Sequence, residues 1–525
     1  MRFFFASFMF FSLIHSLYCQ QTDYVQQVID EHFSKIEIPV LSQSEMYADF
    51  DTLSYLLKNV YPYYYVKSQL TATNYDEKLA GLRKQISKVQ QPHDFIWILQ
   101  KAINLFYDGH LYIPHPQTLS SYHQYDKIGF TRLTPENIVR TYKYYLLTQD
   151  SIQVKIKLGI LFKYIDGKYY TVRPFKYKNQ IYPEGSLLKS INGMTIDTFV
   201  NHYYTSMLGA AYDYKNKKYF SEYFTASPDF LNLASPLFVF EDDKKNVLTD
   251  TFHVDVRVEG LSKIPHQQLI QKNDNPAVFT VSDSILYIRM PNMFGNDDFY
   301  IQEIQKLYDA EHIQKIVIDV RGNPGGSDNV WMNLLSHIIV DTLRQNVALY
   351  ATNTDKRIRG YLERRNKERN RTDSIETVFL PLLNSELIQI YKDQERIFPN
   401  ENSIRFNGKI VIMHDENTFS AAGSLVTIAK ENDKIITVGY SRNDIAGRGL
   451  GPILFELPNT NMVIVMPYVI DYSSVNQIPD FLRNIFPEIE CERDFSTYLR
   501  YYHSTNPYQL ESLLQDNCFL KAISL

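Results

Sequence analysis

From about residue 280 the chain repeatedly runs a short, unbroken apolar segment into an amphipathic one. Ile285 to Met290, Lys315 to Val320, Lys409 to Met413 and Lys434 to Val438 are the apolar segments. Between them, Phe299 to Leu307, the set Val330, Leu334, Leu335 and Ile338, and the set Leu425, Ile428 and Ala429 carry helical spacing. A strand that is apolar at consecutive positions has no face to show to water. It must be covered on both sides, and helices that alternate with strands provide that cover. The spacing therefore predicts a mixed, multidomain α/β protein with a partly parallel sheet.

The preceding chain reads differently. Asp49-Phe50-Asp51 leads into Leu53, Leu56, Leu57 and Val60, a helix that should end at Tyr61-Pro62. A second helix carries Phe95, Ile98, Leu99, Ala102, Ile103 and Phe106 on one face, with Asp94 expected as its N-cap and Gly109 expected to end it. Asp108-Gly109-His110 then lies on a loop. From about 150 to 260, short strands alternate with Asp166-Gly167 and Asn192-Gly193 turns. Expected boundaries are a leader at 1–19, a helical region at 20–120, a strand-rich module at 150–260, an α/β core at 275–495 with a charged insertion at 341–405, and a tail at 496–525. The insertion, dense in Lys and Arg from Arg357 to Arg371, is read as a solvated helix face or lid.

Two strand-to-helix turns carry the chemistry. In Asp319-Val320-Arg321-Gly322-Asn323-Pro324-Gly325-Gly326-Ser327, Gly-Gly after Pro lets backbone N–H groups turn outward. That makes a nest for an anion or oxyanion. In Asn417-Thr418-Phe419-Ser420-Ala421-Ala422-Gly423-Ser424, a Ser flanked by small residues opens a helix whose first amides point at the same spot. Taken alone, Ser420 also reads as a plain N-cap.

The pair, in this order, resembles the C-terminal processing peptidases, or tail-specific proteases, and their tricorn-core relatives. Tyr287 to Pro291, Ile435 to Gly439 and Ile485 to Ile489 extend the match, as do Asp108-Gly109-His110 and the strings Leu158 to Phe162 and Gly185 to Gly193. The resemblance covers about 45 to 492. It implies a ClpP/crotonase-like ββα core behind a helical N-terminal region and a PDZ-like module. In that module Gly159, Ile160 and Leu161 would bind the substrate's terminal carboxylate. It implies Ser420 as nucleophile, with the N–H groups of Ala421 and of Gly325 or Gly326 as the oxyanion hole. The substrate would be a protein or peptide, cut at unfolded or C-terminal segments, with no cofactor.

A serine hydroxyl needs a proton acceptor. Where the processing peptidases carry a Lys in a Gly-Lys-Gly turn, this chain has Gly447-Arg448-Gly449, and a guanidinium does not give up its proton. Lys430 and Lys434 fall at a helix end and a strand start and read as solvated. The tricorn-like branch uses a His, and the matching position is His110, an imidazole being suited to proton exchange near neutrality. Asp480 is the expected orienting carboxylate, with Asp108 the second candidate. Gly423 stands where the family usually has an acid. That departure and Arg448 leave an alternative: a peptidase fold that binds peptides without cutting them.

The remaining features narrow the setting. With 54 Lys+Arg against 59 Asp+Glu, the net charge of −5 gives no basic excess for nucleic acid. No Cys or His spacing suggests a metal site. The Gly447–Gly451 tract precedes a strand rather than opening a helix, so it is no dinucleotide loop. Met1-Arg2, the apolar run Phe3 to Ile14 and polar Gln20-Gln21 read as a secretory signal, which makes the expected location the periplasm, the cell envelope or the medium. Cys19 is a candidate lipid anchor, although Tyr18 before it is bulky. Cys491 and Cys518 are left either to bridge or to stay as thiols. No later stretch is apolar enough to span a bilayer, and oligomeric state is not encoded legibly. The 40 Tyr suggest extended or partly wet surfaces.

Overall fold

A computed structural model describes residues 24–123, 131–153, 160, 162–207, 209–221, 235–252, 259–260, 274–295, 297–309, 311–368, 375–443, 445 and 452–525. The chain divides into two compact units. The first contains Met1–Lys263, Ala351–Ile388 and Leu450–Val469, and the second contains Ile264–Tyr350, Gln389–Gly449 and Ile470–Leu525. The helical region and the strand-rich module thus share one unit, and two pieces of the later chain return to it. Among the described residues, no helix is long and apolar enough to cross a membrane.

In the first unit, helices α1 (Tyr24–His32), α2 (Gln43–Asn59), α3 (Pro92–Asn104) and α4 (Pro135–Gln153) form the N-terminal region. α2 opens with a capping box between Ser42 and Glu45. α3 has Gln91 as its N-cap. Asp94 sits three positions inside it, where its carboxylate accepts from the backbone of Gln90 and Gln91. Proline at the first helical position moves the start upstream of Asp94, because its missing N–H costs nothing there. α3 also stops at Asn104, short of Gly109, and Tyr107 takes a left-handed φ of 38°. Val25, Val28 and Ile29 of α1 and Ile138 and Val139 of α4 pack with Leu454, Val463 and Val465 of the hairpin Ile453–Glu456/Val463–Met466.

His115 lies among these elements, edge-on to Tyr142 and Tyr145, and its Nδ1 accepts from the Gln117 amide. Burial pulls its ring down to about 4. The folded state therefore holds a neutral imidazole that the unfolded chain protonates near 6.5. Its contribution is present above that value and lost as pH falls toward 4. We expect the unfolding free energy measured by urea titration to drop between pH 7 and pH 5, by on the order of 1 kcal/mol after discounting for partial exposure. His115→Phe should flatten that drop; an unchanged pH dependence in the variant would exclude His115 as its source.

The strand-rich module is an antiparallel sheet in the order β1 (Phe162–Ile165), β2 (Lys168–Thr171), β3 (Leu187–Ile191), β4 (Leu237–Glu241) and β5 (Val247–Thr251), with Met194–Thr195 paired to β3 and helix Ile196–Tyr203 following. Its core is aromatic: Phe162 stacks near Phe238 and Phe240, and Phe175 on Tyr182. The tyrosines correct the expectation of wet surfaces. Tyr61, Tyr75, Tyr169, Tyr177 and Tyr204 are among the largest fully buried side chains. Several satisfy the hydroxyl inside, Tyr164 on Asp213 at 2.6 Å and Tyr61 on Asp108 at 2.7 Å.

The second unit is the expected α/β layer. Its sheet runs β6 (Ala277–Ser282), β7 (Ile285–Arg289), β8 (Lys315–Asp319), β9 (Lys409–His414), β10 (Ile435–Gly439) and β11 (Ile489–Glu490). β7 to β11 are parallel, and only the β6 edge is antiparallel. Alternation along each strand sorts the side chains. Leu286, Ile288, Ile316, Ile318, Ile410 and Ile412 meet the helices α5 (Asp297–Leu307), α6 (Asp328–Ile338) and α7 (Ala421–Ala429) through Ile304, Leu334, Leu335 and Leu425. Tyr287, Val317, Val411 and Met413 face the other way, onto Phe519 and Ala522 of α8 (Asn517–Ser524). Each such aliphatic side chain, fully buried, contributes about 1.5–3 kcal/mol. The last residues are therefore not a loose tail. They cover one face of the sheet, and a Cys491–Cys518 disulfide ties α8 to the end of β11. The 341–405 stretch is ordered over strand Leu343–Thr352, helix Lys356–Glu368 and strand Ser385–Ile397, and that helix buries Ile358 and Leu362 rather than being solvated all round.

Candidate active site

Register brings the two turns together. In the parallel ladder Asp319, the last residue of β8, lies opposite Met413 of β9. Both strands end at the same edge of the sheet, the usual place for a site in an open α/β layer. Asp319 is fully buried, with Arg321 folded back onto it at 2.6 Å and the Tyr287 hydroxyl donating at 3.0 Å. Burial pushes its carboxyl up, but Arg321 and Arg289 outweigh that and hold it below the ordinary carboxylate range.

Beyond Asp319, three buried polar residues lock one turn to the other. Asn323 accepts from the Gly325 amide through its side chain at 2.8 Å, donates to Met290 O at 2.8 Å, and offers its backbone oxygen to the Phe419 amide at 2.9 Å. Asp415 accepts from the Gly322 amide at 2.8 Å and the Asn417 amide at 3.1 Å. The Thr418 hydroxyl donates to Val320 O at 2.9 Å. Burial, with Glu416 beside it, pushes the Asp415 carboxyl up to about 6. Sequence reasoning missed Asp415 and the Thr418 hydroxyl. The signal available was a run of side chains able to bond to nearby backbone between a buried strand and a helix.

Ser420 is the residue before α7, at φ 53° and ψ −125°, and its side chain makes no capping hydrogen bond. This removes the N-cap reading. A β-carbon at positive φ costs roughly 1–3 kcal/mol, and such strain collects at functional sites. Ser420 as a residue is half-buried, and its hydroxyl is left for another partner. Facing it is glycine for a geometric reason. A β-carbon on Gly325, at φ +97°, would lie 2.6 Å from Ser420 Cβ and 2.9 Å from Ala421 N. Of the candidate oxyanion donors, the Gly325 amide is already bound by Asn323. Among the described residues, the Gly326 and Ala421 amides have no hydrogen-bond partner. That leaves Gly326 and Ala421, one in each turn, with amides not engaged by other described residues.

Gly423, the departure from the family pattern, also has a physical cause. A β-carbon there would lie 2.1 Å from Nη2 of Arg442, whose guanidinium occupies the space. Lys430 is not solvated as expected. It is partly buried at the far end of α7, donating to Phe486 O at 3.0 Å and Thr437 Oγ1 at 3.3 Å, and burial lowers its affinity for its proton. Ten residues of helix put it about 15 Å along the axis from Ser420, too far to take its proton. Lys434 pairs with Asp341 at 2.9 Å on the surface.

Asp480 caps its own turn. Its carboxylate accepts from the amides of Asn476 and Gln477 at 2.8 and 3.1 Å, at the exposed start of Ile478–Leu482. His110 lies in the first unit and is held by Asp108 instead. Asp108 Oδ1 accepts from the His110 amide at 2.9 Å, and His110 Nδ1 is 4.0 Å from the same oxygen. The Asp108 carboxylate is buried between the Tyr61 hydroxyl at 2.7 Å and the Lys67 ammonium at 3.5 Å. Burial pushes it up, and Lys67, then His110, outweigh that and lower it, so it stays ionised. Lys67 itself is fixed by a 2.7 Å bond to Phe106 O and lies over the Tyr107 ring. Ile160 is half-buried, while Gly159, Leu161 and the Gly447–Gly451 tract lie outside the described residues.

An α/β layer whose strand ends bring a strained, uncapped serine against a glycine turn has the elements that a serine-type peptidase uses. Residues 284–470 match the model of peptidase family S41. No curated protein sequence matches it. Among solved structures it is similar to mature CPAF complexed with lactacystin, at 13% identity and a TM-score of 0.53, covering 91% of this chain and 98% of that one. Uncomplexed mature CPAF gives 13% identity, a TM-score of 0.51, and coverage of 90% and 97%. The photosystem II D1 C-terminal processing protease gives 11% identity, a TM-score of 0.34, and coverage of 86% and 94%. At these identities the CPAF structures bear on the fold alone.

Proposed function

We propose that this chain is an exported endopeptidase that cuts unfolded or C-terminal protein segments through an acyl-enzyme on Ser420. The observation that supports this reading is the strained, uncapped Ser420 packed against Gly325, at the start of a helix whose first amide, that of Ala421, is unengaged by other described residues. His110 takes the hydroxyl proton as Oγ attacks the scissile carbonyl carbon. The carbonyl oxygen becomes an oxyanion held by the two amides. The C–N bond then breaks, His110 returns the proton to the leaving amine, and water hydrolyses the ester by the same route. Asp108 is the carboxylate that orients His110, and Asp480 has a capping role. The strand-rich module acts as a PDZ-like holder of the peptide end, with Gly159, Ile160 and Leu161 at the carboxylate. Export is supported by the Met1–Gln21 pattern, and the Cys491–Cys518 disulfide is in keeping with an oxidising compartment.

The test is a fluorophosphonate probe with the adduct mapped by mass spectrometry. We expect the label on Ser420, and we expect His110→Ala to slow labelling by about 100-fold or more. A label on another residue, or wild-type labelling in the His110 variant, would overturn the corresponding assignment.

A further inference from the structure

Asp415 follows β9, and one of its oxygens reaches both turns. Oδ1 accepts from the Gly322 amide at 2.8 Å and from the Asn417 amide, in its own turn, at 3.1 Å. The Asp415 amide in its turn donates to Thr418 Oγ1 at 3.0 Å. Gly322 is where the first turn reverses, at a left-handed φ of 71°, and three residues later Gly325 packs against Ser420. The other ties between the turns, the Phe419 amide to Asn323 O and the Thr418 hydroxyl to Val320 O, join neutral groups. Asp415 supplies a charged acceptor, and a hydrogen bond to a carboxylate is roughly twice as strong as one between neutral groups.

The surroundings of this buried carboxylate decide when it carries charge. Glu416, its neighbour in the chain, opposes ionisation. Arg321 of the glycine turn favours it, as does Arg493, which follows β11 and pairs with Glu416. The Tyr501 phenol of helix Phe495–His503 lies within its field. Burial, then Glu416, prevail and put the carboxyl at about 6, against about 4 for an ordinary aspartate. One proton taken up just below neutral pH therefore turns a charged tie into a neutral one.

We infer that Asp415 is a positioning residue for acyl transfer, its ionised carboxylate latching the glycine turn onto the serine turn, so that acid releases the latch without unfolding the protein. This rests on the reading of Ser420 as nucleophile. The sign separates the latch from acid unfolding. A carboxyl raised above its unfolded value holds its proton more tightly in the folded state, so its contribution to stability is present below about 4 and lost as pH rises through about 6. Acid should steady the fold at this residue while it slows the chemistry.

The experiment follows fluorophosphonate labelling of Ser420 in wild type and Asp415→Asn from pH 8 to pH 5, with urea unfolding of both over the same range. Asn keeps an oxygen for the Gly322 amide but carries no charge at any pH. Titration of His110 is common to both proteins and cancels in the ratio of their rates. We expect the variant to label about tenfold more slowly at pH 8 and to converge on wild type at pH 5, where about a tenth of Asp415 stays ionised. Over the same range the unfolding constant of wild type, relative to that of the variant, should fall about tenfold. Should Asp415→Asn fail to fold, Glu416→Gln carries the test. It removes the charge that opposes ionisation, and it should label about threefold faster than wild type at pH 5.5 and equally at pH 8. A ratio of rates that does not change with pH, or a wild type that loses stability relative to Asp415→Asn as pH falls, would overturn the inference. If wild type acquires no label on Ser420, the nucleophile assignment fails as well; if it labels normally while the ratio stays flat, only the role of Asp415 fails.

Discussion

Ser420→Ala is expected to lower peptide cleavage by about 10,000-fold or more while leaving the fold intact. The removed oxygen makes no hydrogen bond within the described structure, so its loss leaves no partner stranded. The backbone at 420 keeps its positive φ in the variant, because Asn323, Asp415 and Thr418 fix the turn on either side. The melting temperature should therefore move by no more than a degree or two, since about 1 kcal/mol shifts a chain this large by only a few degrees. Any residual cleavage would come from the remaining groups of the site acting with water as the nucleophile. A folded Ser420→Ala that cleaves within tenfold of wild type would remove the nucleophile from residue 420.

Gly325→Ala is the second large effect. The new methyl carbon would stand 2.6 Å from Ser420 Cβ and 2.8 Å from Phe419 O, contacts that only movement of one turn can relieve. Such movement separates the Gly326 amide from the Ala421 amide, and losing one oxyanion donor costs about 3 kcal/mol, or 100- to 1,000-fold in kcat. Gly193→Ala is the matched control. It has a comparable φ of +77° but no heavy atom within 4 Å of the added carbon, so it bears backbone strain of about 1–2 kcal/mol and no displaced nucleophile. Equal kcat losses in the two variants would show that glycine strain, rather than the contact with Ser420, governs the outcome.

The layered core was legible in the sequence because a strand buried on both faces leaves an unbroken apolar run, and because its strands arrive in parallel through helices. The pair of turns was legible for a related reason: only glycine fits where two backbones approach as closely as 325 and 421 do. The locking residues were not legible. Asn323, Asp415 and Thr418 act through backbone atoms almost a hundred residues away, and no local spacing records such a partner. Asp480 was misread for the opposite reason. A carboxylate three residues into a Gln-Ile-Pro-Asp turn bonds its own neighbours first, and the capping box over Gln477–Asp480 does that. The carboxylate that the structure does place against His110 is Asp108, two residues away, with Lys67 behind it, forty-odd residues upstream.

The first unit draws its core from stretches far apart in the gene: Val25 to Ile29, Leu119 to Val139, and Leu454 to Val465. A fragment cut near residue 275 would leave the apolar backs of α1 and α4 without their covering hairpin. Deletion or recombination at that point would therefore yield no independent half.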